Sequence, residues 1–204
     1  MELDINRDIW SKSLPCWERG QMDGRTRKLN VTTLYNNLAD VHKVFDKHGI
    51  KHWLSHGTFL GAYRDGQFIL WDDDCDLGAD FSQRATCGPA IEELRSMGYY
   101  IPNADPSKPI SLDNAPYYDF HIIKDGSKVE VWFFEKQPDG YWIYDKPRCG
   151  NTLRHEGKYY ESLGKFNFRG LVMDCPNFAE QYLVMMYGPT WRTPDPNKKY
   201  NHQG

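Results

Sequence analysis

Apolar residues first recur at helical spacing at Leu34, Leu38, Val41 and Phe45. Thr32 or Thr33 is placed to cap that helix and Gly49 to stop it. Ile50 to Leu54 is short enough to be a strand. Ser55-His56-Gly57-Thr58 reads as a tight turn, Phe59 to Arg64 as the start of a short helix, and Asp65-Gly66 as a turn signal. Phe68 to Leu77 predicts a second strand. A helix over 82–97 carries Ile91, Leu94 and Met97 as its stripe, with an interruption near Gly88-Pro89 and a stop at Gly98. Asn103 to Pro116, rich in Pro, Asp and Asn, is a loop. Tyr117 to Ile123 and Lys128 to Phe134 flank Lys124-Asp125-Gly126-Ser127, a strong hairpin signal. Tyr141 to Tyr144 adds a strand, residues 145–165 read as loop, and Asn177 to Tyr187 is a helix closed by Gly188. Residues 1–30 are polar and irregular, an arm with Trp10 and Trp17 as anchors. This order predicts an α/β (α+β) chain in which residues 31–204 form one domain, a small mixed sheet flanked by helices.

Composition narrows the picture. A chain of 204 residues fits one compact domain, and a net charge of −3 gives no basic footprint for nucleic acid. No apolar run approaches a transmembrane span, and Met1-Glu2-Leu3-Asp4-Ile5 lacks a signal peptide's basic start. The five cysteines (Cys16, Cys75, Cys87, Cys149, Cys175) form no CxxC pair. Neither a zinc framework nor a disulfide set is signalled, so a cytoplasmic location is expected. Asn30-Val31-Thr32 has the form of a glycosylation sequon, relevant only to a secreted chain.

The chemistry concentrates in Trp71-Asp72-Asp73-Asp74-Cys75-Asp76-Leu77, four carboxylates in five residues. On a strand, Asp72, Asp74 and Asp76 share one face while Asp73, Cys75 and Leu77 point away. Three like charges in a partly desolvated site repel strongly. Oxygen-only ligands suit a hard divalent ion, Mg²⁺ or Mn²⁺, which removes that repulsion. The rival reading, an acidic surface loop, sits poorly with Ile69, Leu70 and Trp71 leading into the run like a buried strand. A later acid, Glu130, lies in the apolar segment Val129-Glu130-Val131-Trp132. If that strand lies beside the first, Glu130 joins the metal set. Gly57 lets backbone approach a phosphate, the following helix N-terminus favours the anion, and Thr58 adds a hydroxyl. Arg64 is placed to reach a phosphate, or alternatively to form a salt bridge to the Asp run. His56 either orients the turn or touches substrate. Tyr63, Trp71, Trp132 and Tyr118 are candidates to stack on a base or sugar, with core packing the competing role.

His56-Gly57-Thr58-Phe59-Leu60-Gly61-Ala62-Tyr63-Arg64, followed by Trp71-Asp72-Asp73-Asp74-Cys75-Asp76-Leu77, resembles the signature of the LicD/fukutin family. That family belongs to the nucleotidyltransferase (DNA polymerase β-like) fold superfamily. Val129-Glu130-Val131-Trp132-Phe133 is similar to its later acidic strand, which more often carries Asp. Lys165-Phe166-Asn167-Phe168-Arg169-Gly170, Cys175-Pro176-Asn177 and Tyr187-Gly188-Pro189-Thr190-Trp191 resemble its C-terminal part. The likeness runs over about residues 34 to 195. It implies transfer of a phospho-alcohol, phosphocholine or ribitol phosphate in kind, from a CDP-linked donor to a glycan or related hydroxyl acceptor, releasing CMP. The expected metal ligands are Asp72, Asp74, Asp76 and Glu130. Gly57, Thr58 and His56 are expected at the donor, and Arg64 at developing charge, with Glu130 as a mobile base. Against the family pattern, the gap between Gly57-Thr58 and Asp74 is slightly long, and the membrane anchor of the animal Golgi members is absent from this sequence. Two alternatives stand beside this reading. One is a nucleotidyltransferase modifying a protein, tRNA or small molecule; the other is a non-catalytic nucleotide-binding protein.

Overall fold

The computed structural model describes residues 30–102, 119–146 and 151–196. The expected N-terminal arm up to residue 29 and the whole loop from Asn103 to Pro116 fall outside the described residues, as do Cys16, Cys149, Tyr117 and Tyr118.

Helix α1 (Val31–Lys47) buries the predicted stripe of Leu34, Leu38, Val41 and Phe45. Its cap is Asn30 instead of Thr32 or Thr33: the Asn30 side chain accepts from the Thr33 amide at 3.1 Å. Strand β1 (His52–Leu54) is followed by α2 (His56–Asp65), which ends on Gly66 in the left-handed conformation. Strand β2 (Asp74–Asp80) leads through a 3₁₀ turn (Phe81–Thr86) into α3 (Gly88–Ser96), with the break falling near Gly88-Pro89. Strands β3 (Asp119–Lys124) and β4 (Ser127–Lys136) form the expected hairpin. Asp125 and Gly126, at φ 48° and 75°, supply the two positive-φ positions such a tight turn needs. Then come β5 (Tyr141–Lys146), β6 (Asn151–Glu156), β7 (Gly164–Phe168), β8 (Leu171–Cys175) and α4 (Ala179–Tyr187).

The main sheet runs β1-β2-β4-β5-β6, with β3 also paired to β4, and β7-β8 form a separate hairpin. It is mixed: β2 and β4 are parallel, the other pairs antiparallel. The parallel register sets Asp74 beside Lys128 and Asp76 beside Glu130. One hydrophobic core, from Leu34 to Trp191, fills the space between sheet and helices.

Two expectations are corrected. The second strand does not begin at Phe68. Residues 67–69 fold back over α2, so closely that a side chain at Gly61 would meet the Gln67 carbonyl at 2.6 Å. A turn follows, with the Asp72 amide bonded to the Ile69 carbonyl at 3.0 Å. Phe68 and Ile69 are buried, but Leu70 and Trp71 are 59% and 47% exposed. Residues 145–165, read as loop, instead hold the end of β5, all of β6, a 3₁₀ turn (Gly157–Tyr159) and the start of β7. The β7–β8 turn uses Arg169 and Gly170, at φ 55° and 100°. Arg-Gly is a weak turn signal beside Asn-Gly or Asp-Gly.

Candidate active site

Strand alternation sends Cys75 and Leu77 into the core and leaves Asp74 and Asp76 on the other face. Asp72 comes from the preceding turn, yet its carboxylate reaches the same place. Carboxylate oxygens of Asp72, Asp74 and Asp76 lie within 4.8 Å of one another. Asp73 points to solvent, and its amide donates to Asp72 Oδ1 at 3.2 Å. All three clustered acids are pushed above the usual carboxylate range, first by burial. Repulsion from Asp74 comes next for Asp72 and Asp76, whereas for Asp74 the nearby Lys128 ammonium partly counters the rise. An all-oxygen group whose own charges oppose ionisation fits a hard divalent cation.

Gly57 opens α2 directly against this group. A side chain there would place Cβ 2.4 Å from Asp72 Oδ2 and 3.7 Å from Asp76 Oδ2. The glycine is therefore required by proximity to the acids, not by a positive φ. The Thr58 hydroxyl, expected to face donor phosphate, accepts from the Asp76 amide at 2.7 Å and so ties α2 to β2. Trp132 Nε1–H donates to Asp76 Oδ1 at 3.2 Å. His56 is buried with Nδ1 2.9 Å from Ser55 Oγ and Nε2 2.9 Å from the Tyr144 hydroxyl. Its backbone has φ 43°, a strained value for a non-glycine residue. These contacts hold it inside the fold.

Arg64 is placed differently from expectation. Its guanidinium pairs with Asp65 at 2.7 Å and donates to the Trp191 carbonyl at 3.3 Å, so the pairing is with an aspartate outside the acid run. Tyr63 packs among Phe59, Phe166 and Trp191 in the manner of a core residue. Trp71 remains exposed next to Asp72.

Glu130 lies beside Asp76 as anticipated but belongs to a neighbouring group. His121 Nε2 is 2.6 Å from Glu130 Oε1 and 3.2 Å from Asp119 Oδ2. Lys128 Nζ bridges Asp74 at 2.7 Å and Glu130 at 3.4 Å. Glu130 is thus pinned on both oxygens and is not a mobile side chain. Lys128, His121 and Asp119 were not anticipated from sequence. All three follow from strand alternation and hairpin register, since Lys128 shares Glu130's face and His121 pairs with Glu130 across the turn.

The family model described as LicD/FKTN/FKRP, nucleotidyltransferase domain, matches residues 49–178, which include α2, β2 and β4. The chain belongs to the LicD family. An uncharacterized protein of Rickettsia typhi is 31% identical over 165 residues, 78% of this chain and 48% of that protein. Human ribitol-5-phosphate transferase FKTN is 28% identical over 162 residues, 74% of this chain and 32% of its own length. The chain therefore spans about half or less of the curated relatives it matches. A lincosamide antibiotic adenylyltransferase, LnuA, superposes at TM-score 0.48 with 15% identity, covering 76% of this chain and 85% of that one. The matched stretch is the family's nucleotidyltransferase domain. Among the described residues, no helix is long and apolar enough to cross a membrane.

Proposed function

We propose that this LicD-family enzyme transfers a phospho-alcohol, of the ribitol-phosphate or phosphocholine kind, from a CDP-linked donor to a hydroxyl of a glycan or related acceptor. The observation that carries the reading is the convergence of Asp72, Asp74 and Asp76 on Gly57, within a family whose human member FKTN bears the name of a ribitol-5-phosphate transferase.

Asp72, Asp74 and Asp76 would hold Mg²⁺ or Mn²⁺, and that ion would supply charge neutralisation at the donor phosphates. Gly57 lets the Asp72 carboxylate close against the start of α2, and the helix dipole there would favour a donor phosphate held by the ion. The acceptor oxygen forms a bond to the phosphorus bearing the alcohol. The bond from that phosphorus to the CMP phosphate oxygen breaks, and CMP leaves. The hydroxyl proton passes to a carboxylate of the site. Glu130, fixed by His121 and Lys128, sets the charge beside Asp76 and holds Lys128 against Asp74. Exposed Trp71 is placed to cover a base or sugar. Buried free thiols at Cys75, Cys87 and Cys175 accord with the reducing cytoplasm expected from cysteine usage.

The test is incubation of the purified chain with Mg²⁺ and a panel of CDP-linked donors in a cell extract, reading nucleotide products and acceptor mass. CMP with cargo gained by an acceptor is the expected result. Pyrophosphate with a nucleotide gained would instead make it a nucleotidyltransferase. Tight CDP binding with no turnover across the panel would favour a non-catalytic binding role.

A further inference from the structure

On the sheet face opposite the acids, α1 and β1 bring together a different kind of donor set. His52 pairs with Ala79, and directly paired residues project to the same side. Ala79 shares the core-facing side of β2 with Cys75 and Leu77, away from Asp74 and Asp76. We propose that His42, Asp46 and His52 form a second metal site, suited to a borderline ion such as Zn²⁺ and independent of the acid trio.

His42 and Asp46 stand four residues apart on α1, hence on one helix face. His52 meets them from the adjoining strand, and one ligand atom from each of the three residues falls within 4.8 Å of the others. Two imidazoles and one carboxylate are a zinc-type set, unlike the oxygen-only trio.

The geometry around His52 prepares it as a ligand. Its Nδ1 lies 2.8 Å from the Ile50 carbonyl oxygen, which can only accept, so the hydrogen sits on Nδ1 and Nε2 keeps a lone pair. An imidazole oriented by a backbone carbonyl is the usual outer support of a metal-bound histidine. Nε2 faces His42 Nδ1 at 2.8 Å, and His42 Nε2 is 3.6 Å from Asp46 Oδ2. Two nitrogens on one tetrahedral zinc stand about 3.3 Å apart, so His52 Nε2 and His42 Nδ1 would part by about half an ångström, while the exposed Asp46 carboxylate, now beside His42 Nε2, swings toward the same ion.

Access is open. The three residues line a cleft with Lys51, Lys165 and Asp174, and the Asp46 side chain is 63% exposed. The two lysines are engaged elsewhere: Lys165 Nζ lies 2.5 Å from Asp174 Oδ1, and Lys51 Nζ donates to the Tyr160 carbonyl at 3.3 Å. With three protein ligands, a fourth position is left to water or to a group entering the cleft. A bound ion would clamp the end of α1 to β1 across the Gly49 turn, and β1 is the partner of the acid strand β2.

Cobalt(II) titrated into the intact chain, with excess Mg²⁺ to occupy the acids, tests this directly. The expected result is one equivalent bound with the intense visible absorption of a nitrogen-containing, low-coordinate site, lost on adding Zn²⁺. Asp46→Asn and His42→Gln should each weaken cobalt binding by at least the roughly 10- to 100-fold that loss of a mere outer support costs. The Asp74→Asn, Asp76→Asn double variant should leave the spectrum unchanged. Affinity unaltered in both Asp46→Asn and His42→Gln overturns the site. So does a spectrum of oxygen-only character, or one abolished in the acid double variant. Asp46→Asn alters an exposed side chain, so its result does not depend on surviving a core substitution.

Discussion

Asp76 and Glu130 are neighbours across two parallel strands, yet their negative charge is met in opposite ways. Glu130 has His121 at 2.6 Å on one oxygen and Lys128 at 3.4 Å on the other. Asp76 has an indole N–H and, around it, Asp72 and Asp74. Lys128 contacts the trio at Asp74, 2.7 Å away. Both groups are buried and both are acidic, so neither burial nor acid count distinguishes them. Unmet charge does: the trio is arranged at a cost in electrostatic energy that a cation would remove, whereas Glu130 has cationic partners on both oxygens.

The largest effect should come from Asp76→Asn. Losing a metal ligand in phosphoryl transfer should cost several kcal/mol of transition-state stabilisation, roughly a hundredfold to several thousandfold in CMP release. The thermal midpoint without metal should hold or rise, because one repelling charge is gone. Near-normal turnover, with donor cleavage followed directly, would break the contrast by showing that the trio does not hold the ion.

Next is Lys128→Met, which leaves Asp74 and Glu130 without their shared cation. Removing one partner of a buried ion pair typically costs about 3–5 kcal/mol, readable by urea unfolding. Mg²⁺ should restore part of the loss through Asp74. No recovery at saturating Mg²⁺ would mean that Glu130, not Asp74, carries the defect.

A smaller effect, with a definite sign, is expected from pH. Asp72, Asp74 and Asp76 titrate higher in the folded chain than in the unfolded one. From about pH 4 upward, the folded state therefore holds more protons, so these groups make stability fall as pH rises through that window. Mg²⁺ should flatten the slope. Midpoints measured across that range with and without Mg²⁺ check it, and an identical slope in both would argue against an ion in the trio. Smallest of all is Asp73→Asn: its side chain faces solvent, so stability should shift by no more than about 0.5 kcal/mol and turnover should stay close to wild type. A loss matching that of Asp74→Asn would place Asp73 among the ligands.

Much of this was legible in the chain. The α1 stripe, the Asp125-Gly126 hairpin and the placement of Asp74 and Asp76 against Cys75 and Leu77 all follow from periodicity. What was not legible had local causes. Asp72 reaches the trio from a turn, because the segment after α2 folds back over Gly61, a tertiary contact with no sequence period. Arg64 found Asp65 and the Trp191 carbonyl, and the latter comes from residues far along the chain. Strands β7 and β8 are half-buried and joined by Arg-Gly, so neither pattern nor turn announced them. The His121–Glu130 contact, by contrast, follows from pairing outward from the Asp125-Gly126 turn: Lys124 with Ser127, and three pairs further on, His121 with Glu130.

The parallel pairing of β2 with β4 also bears on the order in which this protein acquires its parts. The β3–β4 hairpin closes over a two-residue turn and needs no distant chain. Asp76 meets Glu130 only when a long intervening segment, including α3, has been looped out, and such closure is entropically slow. During refolding, Glu130 should therefore gain His121 early, while the aspartates arrive beside it late. Competence to bind a divalent ion at the proposed site would then report completion of the fold, appearing after the hairpin's own signals in a time-resolved experiment.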